Sequence, residues 1–183
     1  GMSNCMASPT VTNCTFTDNT GDYGGGMYNS SGSPTVTDSI FRDNSASYGG
    51  GIYNESSSLT VTNCTFSDNA SSNNGGGIYD AYSSFTVTNC TFWDNSAVGN
   101  GGGIFNFGSS PVLTNCTFER NSAANGGGVN NYYSSLSVIT NCILWDNTAT
   151  SNGNQIYNYP LAEHLSESNI SFSNIEGGWG AIT

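Results

Sequence analysis

Asp18, Asp43, Asp68, Asp94 and Asp146 each stand directly before an asparagine in a recurring phrase, and Arg120 takes that place once. Carboxylates at a fixed interval admit three readings. On successive turns of a stacked chain they would lie about 4.8 Å apart. If they point outward they repel, and a bound divalent cation would reverse that repulsion. Asp18, Asp43, Asp68 and Asp94 are therefore candidate calcium ligands, and no other cofactor is expected. On alternate turns, their separation falls within the roughly 6.5 to 9.5 Å that inverting glycosidases hold between paired carboxylates. The third reading is local: a short polar side chain bonding its own backbone at a corner. Uniformity weighs against catalysis, because an active site gathers unlike residues and breaks a repeat at one place. A lyase acting on acidic polysaccharide would also need a cationic base and clamp, and Arg42 and Arg120 stand in different repeats. The expectation is a protein that is not an enzyme.

Cys14, Cys64, Cys90, Cys116 and Cys142 share a second column, interrupted by Ser39, with Cys5 outside it. Buried thiols stack as small hydrophobes, and in-register parallel strands suit the disulfide torsion poorly. The thiol or disulfide state stays open at this level. Metal ligation is disfavoured, since there is no CxxC pair and His164 is the single histidine. Tyr28, Tyr53, Tyr79, Phe105 and Tyr157 form an outward aromatic row broken by Asn130, while Trp93 and Trp145 flank Glu119 in another. Such rings either pair with one another along a sheet or stack on sugar rings. Tyr28, Tyr53, Tyr79, Phe105, Trp93 and Trp145 are accordingly the candidate contacts for a glycan or a surface receptor. Paired threonines (Thr10 and Thr12, Thr35 and Thr37, Thr60 and Thr62, Thr86 and Thr88) make a flat grid like the ice-binding face of some β-solenoid antifreeze proteins. That grid degrades to Val112 with Thr114 and Val138 with Thr140.

What positions these columns is a repeat of 25 or 26 residues. It carries three asparagine-rich columns. The first is Asn13, Asp38, Asn63, Asn89, Asn115 and Asn141. The second is Asn19, Asn44, Asn69, Asn95, Asn121 and Asn147, and the third is Asn4, Asn29, Asn54, Asp80, Asn106, Asn131 and Asn158. Asparagine tolerates left-handed backbone, so three such columns predict three bends and a three-sided coil. Between bends the segments alternate as strands do. Their inward columns are Val11 to Ile139, Phe16 to Leu144 and Met27 to Ile156. Glycine triplets, as at 75 to 77, end a variable loop and enter the next strand; no helix follows them, so they read as backbone devices rather than a phosphate cradle. The fold predicted is an all-β, three-sided parallel β-helix of about seven coils, or roughly 35 Å of axis.

Residues 1–157 hold the regular coils, 158–168 an inserted loop or short capping turn, and 169–183 a final partial coil, all one domain. In the insertion, Leu161 and Leu165 sit four apart after Pro160, which fits either one helical turn or a surface loop. Gly1-Met2-Ser3-Asn4 matches Gly26-Met27-Tyr28-Asn29, so the chain opens mid-repeat and further coils, or axial stacking of copies into a fibre, are expected. The chain has no lysine and a net charge of -11, leaving nothing to neutralise phosphates. Nucleic acid is therefore not an expected partner. Nor is membrane insertion expected, since no stretch approaches the roughly 20 apolar residues of a span.

The tetrads FTDN, FRDN, FSDN, FWDN, FERN and LWDN, with GGGM, GGGI and GGGV, resemble the FxxN and GGA[ILV] motifs of polymorphic outer-membrane-protein repeats. Glycine stands where that family has alanine. The closing SNIEGGW is similar to segments of large bacterial right-handed β-helix surface proteins. The resemblance spans nearly the whole chain. It implies a right-handed helix, an extracellular or cell-surface location, and a noncatalytic structural or adhesive role. A polysaccharide-binding or polysaccharide-cleaving β-helix is the alternative, and ice binding a second.

Overall fold

A computed structural model describes residues 1–177. The chain winds through strands of two to five residues, and outside one short hairpin each strand pairs in parallel with its counterpart one turn away. One turn shows the pattern: Ile52–Glu55 in the first sheet, Thr60–Thr62 in the second, Thr65–Ser67 in the third and Ala70–Asn74 in the fourth. Three sheets have seven strands and the fourth has six, so six complete turns precede a partial one. Strands this short form no sheet alone; ladder bonds to the turns above and below hold them.

The three inward columns lie where the alternation places them. Val61, Phe66 and Ile78 are all fully buried, and Phe66 pairs in register with Phe41 and Phe92. From Phe16 to Phe118 the rings stack face to face, with centroids 4.7 to 4.9 Å apart. Each buried phenylalanine contributes about 1.5–3 kcal/mol of transfer energy.

The fourth sheet occupies the segment expected to be a variable loop. Its inward residues are Ala46, Ser71, Ala97 and Ala123, all buried. They are too small to make a hydrophobic column visible in sequence, and bulges between Ser71 and Asn74 and between Ala123 and Asn125 blur the period. The three-bend reading of asparagine also needs correction. The first column does take left-handed backbone, as at Asn63 with φ 54°. At the second corner the left-handed residue is the one before the asparagine: Asp18, Asp43, Asp68, Asp94, Arg120 and Asp146. At the third it lies two residues later, as at Ser56 and Tyr82. The asparagines of these two columns turn inward instead.

Gly75 needs its φ of 72°. A Cβ on Gly76 or Gly77 would collide with backbone carbonyls of the next turn, and on Gly77 also with the Phe92 ring. The triplet thus brings the chain close enough to seal the core. Residues 158–168 form no helical turn. Pro160–Leu161 and His164–Leu165 pair antiparallel, and Glu167–Ser171 then rejoins the second sheet. Tertiary contacts favour this hairpin: the His164 ring lies 4.1 Å from that of Tyr133, and Ser134 N–H donates to the His164 carbonyl at 3.2 Å.

Candidate functional site

Inside the coil, the second asparagine column is a continuous amide ladder. From Asn44 to Asn147 each Nδ2 donates to the Oδ1 of the next turn at 2.9 Å. The same Oδ1 accepts the backbone N–H of the preceding rung at 3.0 to 3.2 Å. The Nδ2 also donates to a phenylalanine carbonyl one turn back, as Asn95 does to Phe66 at 2.9 Å. Asn147 donates to Gln155 Oε1 at 2.6 Å, and Gln155 Nε2 donates to Glu176 at 2.9 Å. Gln155, where the last repeat departs from the glycine triplet, therefore ends the ladder.

The third column is less regular. Asn54 donates to Asp80 at 2.6 Å, Asn106 to Asn131 at 2.8 Å, and Asn131 to Asn158 at 2.8 Å. Asn29 is fully buried with neither amide atom partnered. Two further ladders run on the outer corners. Asn63, Asn89, Asn115 and Asn141 are linked at 2.6 to 3.2 Å. Asn74, Asn100, Asn125 and Asn152, missed in the sequence reading, are linked at 2.8 to 2.9 Å. Each member of the second set directly precedes a positive-φ glycine, and that was the available signal.

All six cysteines are free thiols. Cys64, Cys90, Cys116 and Cys142 are buried, while Cys14 on the first turn is exposed. Each buried thiol donates to the carbonyl two residues back, as Cys64 Sγ does to Thr62 at 3.2 Å, and Cys90 Sγ accepts the Cys64 N–H at 3.3 Å. Ser39 and Ser173 fill the same column with the same bonds. The neighbouring thiol, then burial, raises the pKa of Cys90 and of Cys116, which keeps both neutral.

On the outside, the aspartates stand in single file along the corner between the third and fourth sheets. Asp43 pairs with Arg42 and Asp94 with Arg120, both at 3.2 Å. Desolvation, then the charges of Asp43 and Asp94, raises the Asp68 carboxyl. Among the described residues, no three His, Cys, Asp or Glu side chains converge as a metal site.

In the aromatic row Tyr28 stacks on Tyr53 at 5.5 Å and Tyr53 on Tyr79 at 4.8 Å, while Phe105 lies tilted against Tyr79 at 5.1 Å. The row is not, however, an open platform. Tyr53 and Phe105 are buried and Tyr28, Tyr79 and Tyr157 half-buried. Tyr23 and Tyr48 of the fourth sheet cover the row edge-on, at 5.0 Å from Tyr53 and 5.5 Å from Tyr79. Burial pushes the Tyr79 phenol up to about 12. Trp93 and Trp145 are more open, 37% and 47% exposed, in register on either side of Glu119. The Arg120 guanidinium lies over the Trp93 ring at 5.7 Å. The outer threonines form the expected grid, with Thr12 and Thr37 hydroxyls 3.1 Å apart. A shallow groove of about 610 Å³ runs along the fourth sheet between Thr20 and Val98.

Most of the interior polar groups are thus taken up by the ladders, Asn29 excepted, and the surface offers stacking and hydrogen bonding, the chemistry of recognition. No curated protein and no solved structure matches the chain. Residues 1–111 match the family described as right handed beta helix region. With matched residues on more than half of its length and stacked parallel turns throughout, the chain belongs to the right-handed β-helix family.

Proposed function

We propose that this protein is a noncatalytic structural module displayed outside the cell, a rigid rod whose outer face makes adhesive contacts. What supports the reading is the register: the same residue types stack turn after turn, and the candidate carboxylates follow one corner in single file instead of converging on a cleft. Inward ladders stabilise each turn while the outer face stays free to vary. Further coils or a second copy would pair the outer strand edges of the end turns, which makes axial assembly part of the same reading. Electron micrographs with and without calcium separate fibre from single rods.

Contact with a glycan or surface receptor is assigned to Trp93 and Trp145, the exposed rings flanking Glu119. Exposed aromatic faces suit sugar rings, and the carboxylate between them can accept from sugar hydroxyls. The test is attachment of the purified chain to a panel of immobilised glycans and to cell surfaces. Replacing both tryptophans by alanine is expected to weaken attachment at least tenfold with the circular dichroism unchanged. Attachment indifferent to the double replacement removes the assignment. Polysaccharide cleavage by the unaltered chain, lost on Asp68→Asn, would instead favour an enzyme.

A further inference from the structure

One member of the third asparagine column cannot repeat its neighbours' bonds. In the rungs from Asn106 and Asn131, an amide nitrogen donates to the next turn at 2.8 Å. Asp80 stands in register between Asn54 and Asn106 and is fully buried. It accepts from Asn54 Nδ2 at 2.6 Å and from Ser83 Oγ at 2.6 and 2.7 Å. As a carboxylate it has nothing to donate onward, and Asn106 Oδ1, the acceptor of the next rung, is buried without a partner. A buried charge without a counter-ion and a buried acceptor without a donor are both costly. One proton removes both costs.

We propose that Asp80 is held as the neutral carboxylic acid, donating its Oδ2–H to Asn106 Oδ1, so that the column runs unbroken from Asn54 to Asn158 in acid and is cut at this rung when the proton leaves to solvent. Its surroundings favour this state. Strand alternation points Tyr53, Glu55 and Tyr79 to the outer face, and Tyr82 is exposed beyond the bend. Ser83 and Ser109 face Asp80 from one corner, on its own turn and on the next. Across the interior, the inward residues are Val61, Val87, Phe66, Phe92 and the thiols of Cys64 and Cys90. Arg42 and Arg120 are engaged with Asp43 and Asp94 at a different corner. Burial, opposed by bonds from Ser83, Asn54 and Ser109, pushes the Asp80 carboxyl from 3.8 up to about 6. A bridging calcium ion would need some 6–8 oxygens about 2.4 Å away, whereas the column closes its rungs by hydrogen bonds of 2.6 to 2.8 Å.

The folded value lies above the unfolded one, so the proton stabilises the fold. That stabilisation is complete below about pH 3.8 and is lost as the pH rises through about 6. The separation corresponds to about a hundredfold in the folding equilibrium. Carboxyl carbon-13 titration of the full chain by NMR should show Asp80 changing state near pH 6. Urea unfolding should show Asp80→Asn about a hundredfold more favourably folded than the unaltered chain at pH 7.5 and equal to it at pH 4. An Asp80 carboxyl titrating in the ordinary aspartate range overturns the proposal, and the titration decides it even if the variant fails to fold. Calcium-dependent stabilisation that vanishes in Asp80→Asn overturns it too, by placing a cation where the proton is assigned.

Discussion

Asparagine does two jobs in this chain, and residue type alone does not separate them. At Asn63 it holds left-handed backbone; at Asn95 it is a fully buried donor and acceptor. The carboxamide suits the second job because it can accept from one turn while donating to the next. Asn95→Ala would leave the Asn69 N–H without its acceptor and would take one bond each from Asn69 Nδ2, which keeps the Phe41 carbonyl, from the Phe66 carbonyl, and from Asn121 Oδ1, which keeps the backbone N–H of residue 95. With one buried N–H left unsatisfied at about 1–3 kcal/mol and three further bonds lost at about 0.5–1.5 kcal/mol each, the loss should exceed about 2 kcal/mol in urea unfolding. A loss below about 1 kcal/mol would show that the ladder contributes little. The column positions were legible in the sequence, but the direction of each side chain was not. That direction depends on which neighbour along the corner takes the positive φ, and at the second corner the aspartate takes it. The aromatic row has the same history: alternation places Tyr53 outward, and Tyr23, a turn away, completes its burial between the stacked rings of Tyr28 and Tyr79.

At the scale of the element, three of the four sheets follow from side-chain alternation, and the fourth escapes because alanine and serine line it. Small inward residues there match the glycine triplets, which bring the adjoining backbone close. Gly77→Ala would drive a methyl group into the Phe92 ring and the Gly103 carbonyl. Overpacking of this kind costs about 1–3 kcal/mol, and a fall in urea midpoint at unchanged slope would register it. Gln155 is admitted at the equivalent place in the last turn, where the column residue is Ile175 instead of phenylalanine. The hairpin at 160–165 was not legible either, because its stabilising partner is Tyr133 in the preceding turn.

For the molecule as a whole, stability is built turn by turn. Nearest-neighbour terms then decide how substitutions combine. Phe66→Leu and Phe92→Leu remove the same stacked contact at 4.7 Å, so their effects should be non-additive by at least about 0.5 kcal/mol. Phe41→Leu and Phe118→Leu, three rungs apart, should add to within about 0.5 kcal/mol. Double-mutant cycles in urea check both, and equal coupling in the two pairs would point to one cooperative globular core. The sequence by itself determined the repeat length, the three large inward columns and the parallel stacking, because a period of two within strands and a constant turn length are written in residue order. Only the tertiary structure decided which asparagines bend and which form ladders, which outward rings are covered, and that Asp80 is fully buried in the third column. Those outcomes depend on contacts between residues some 25 apart in the chain and one turn apart in space.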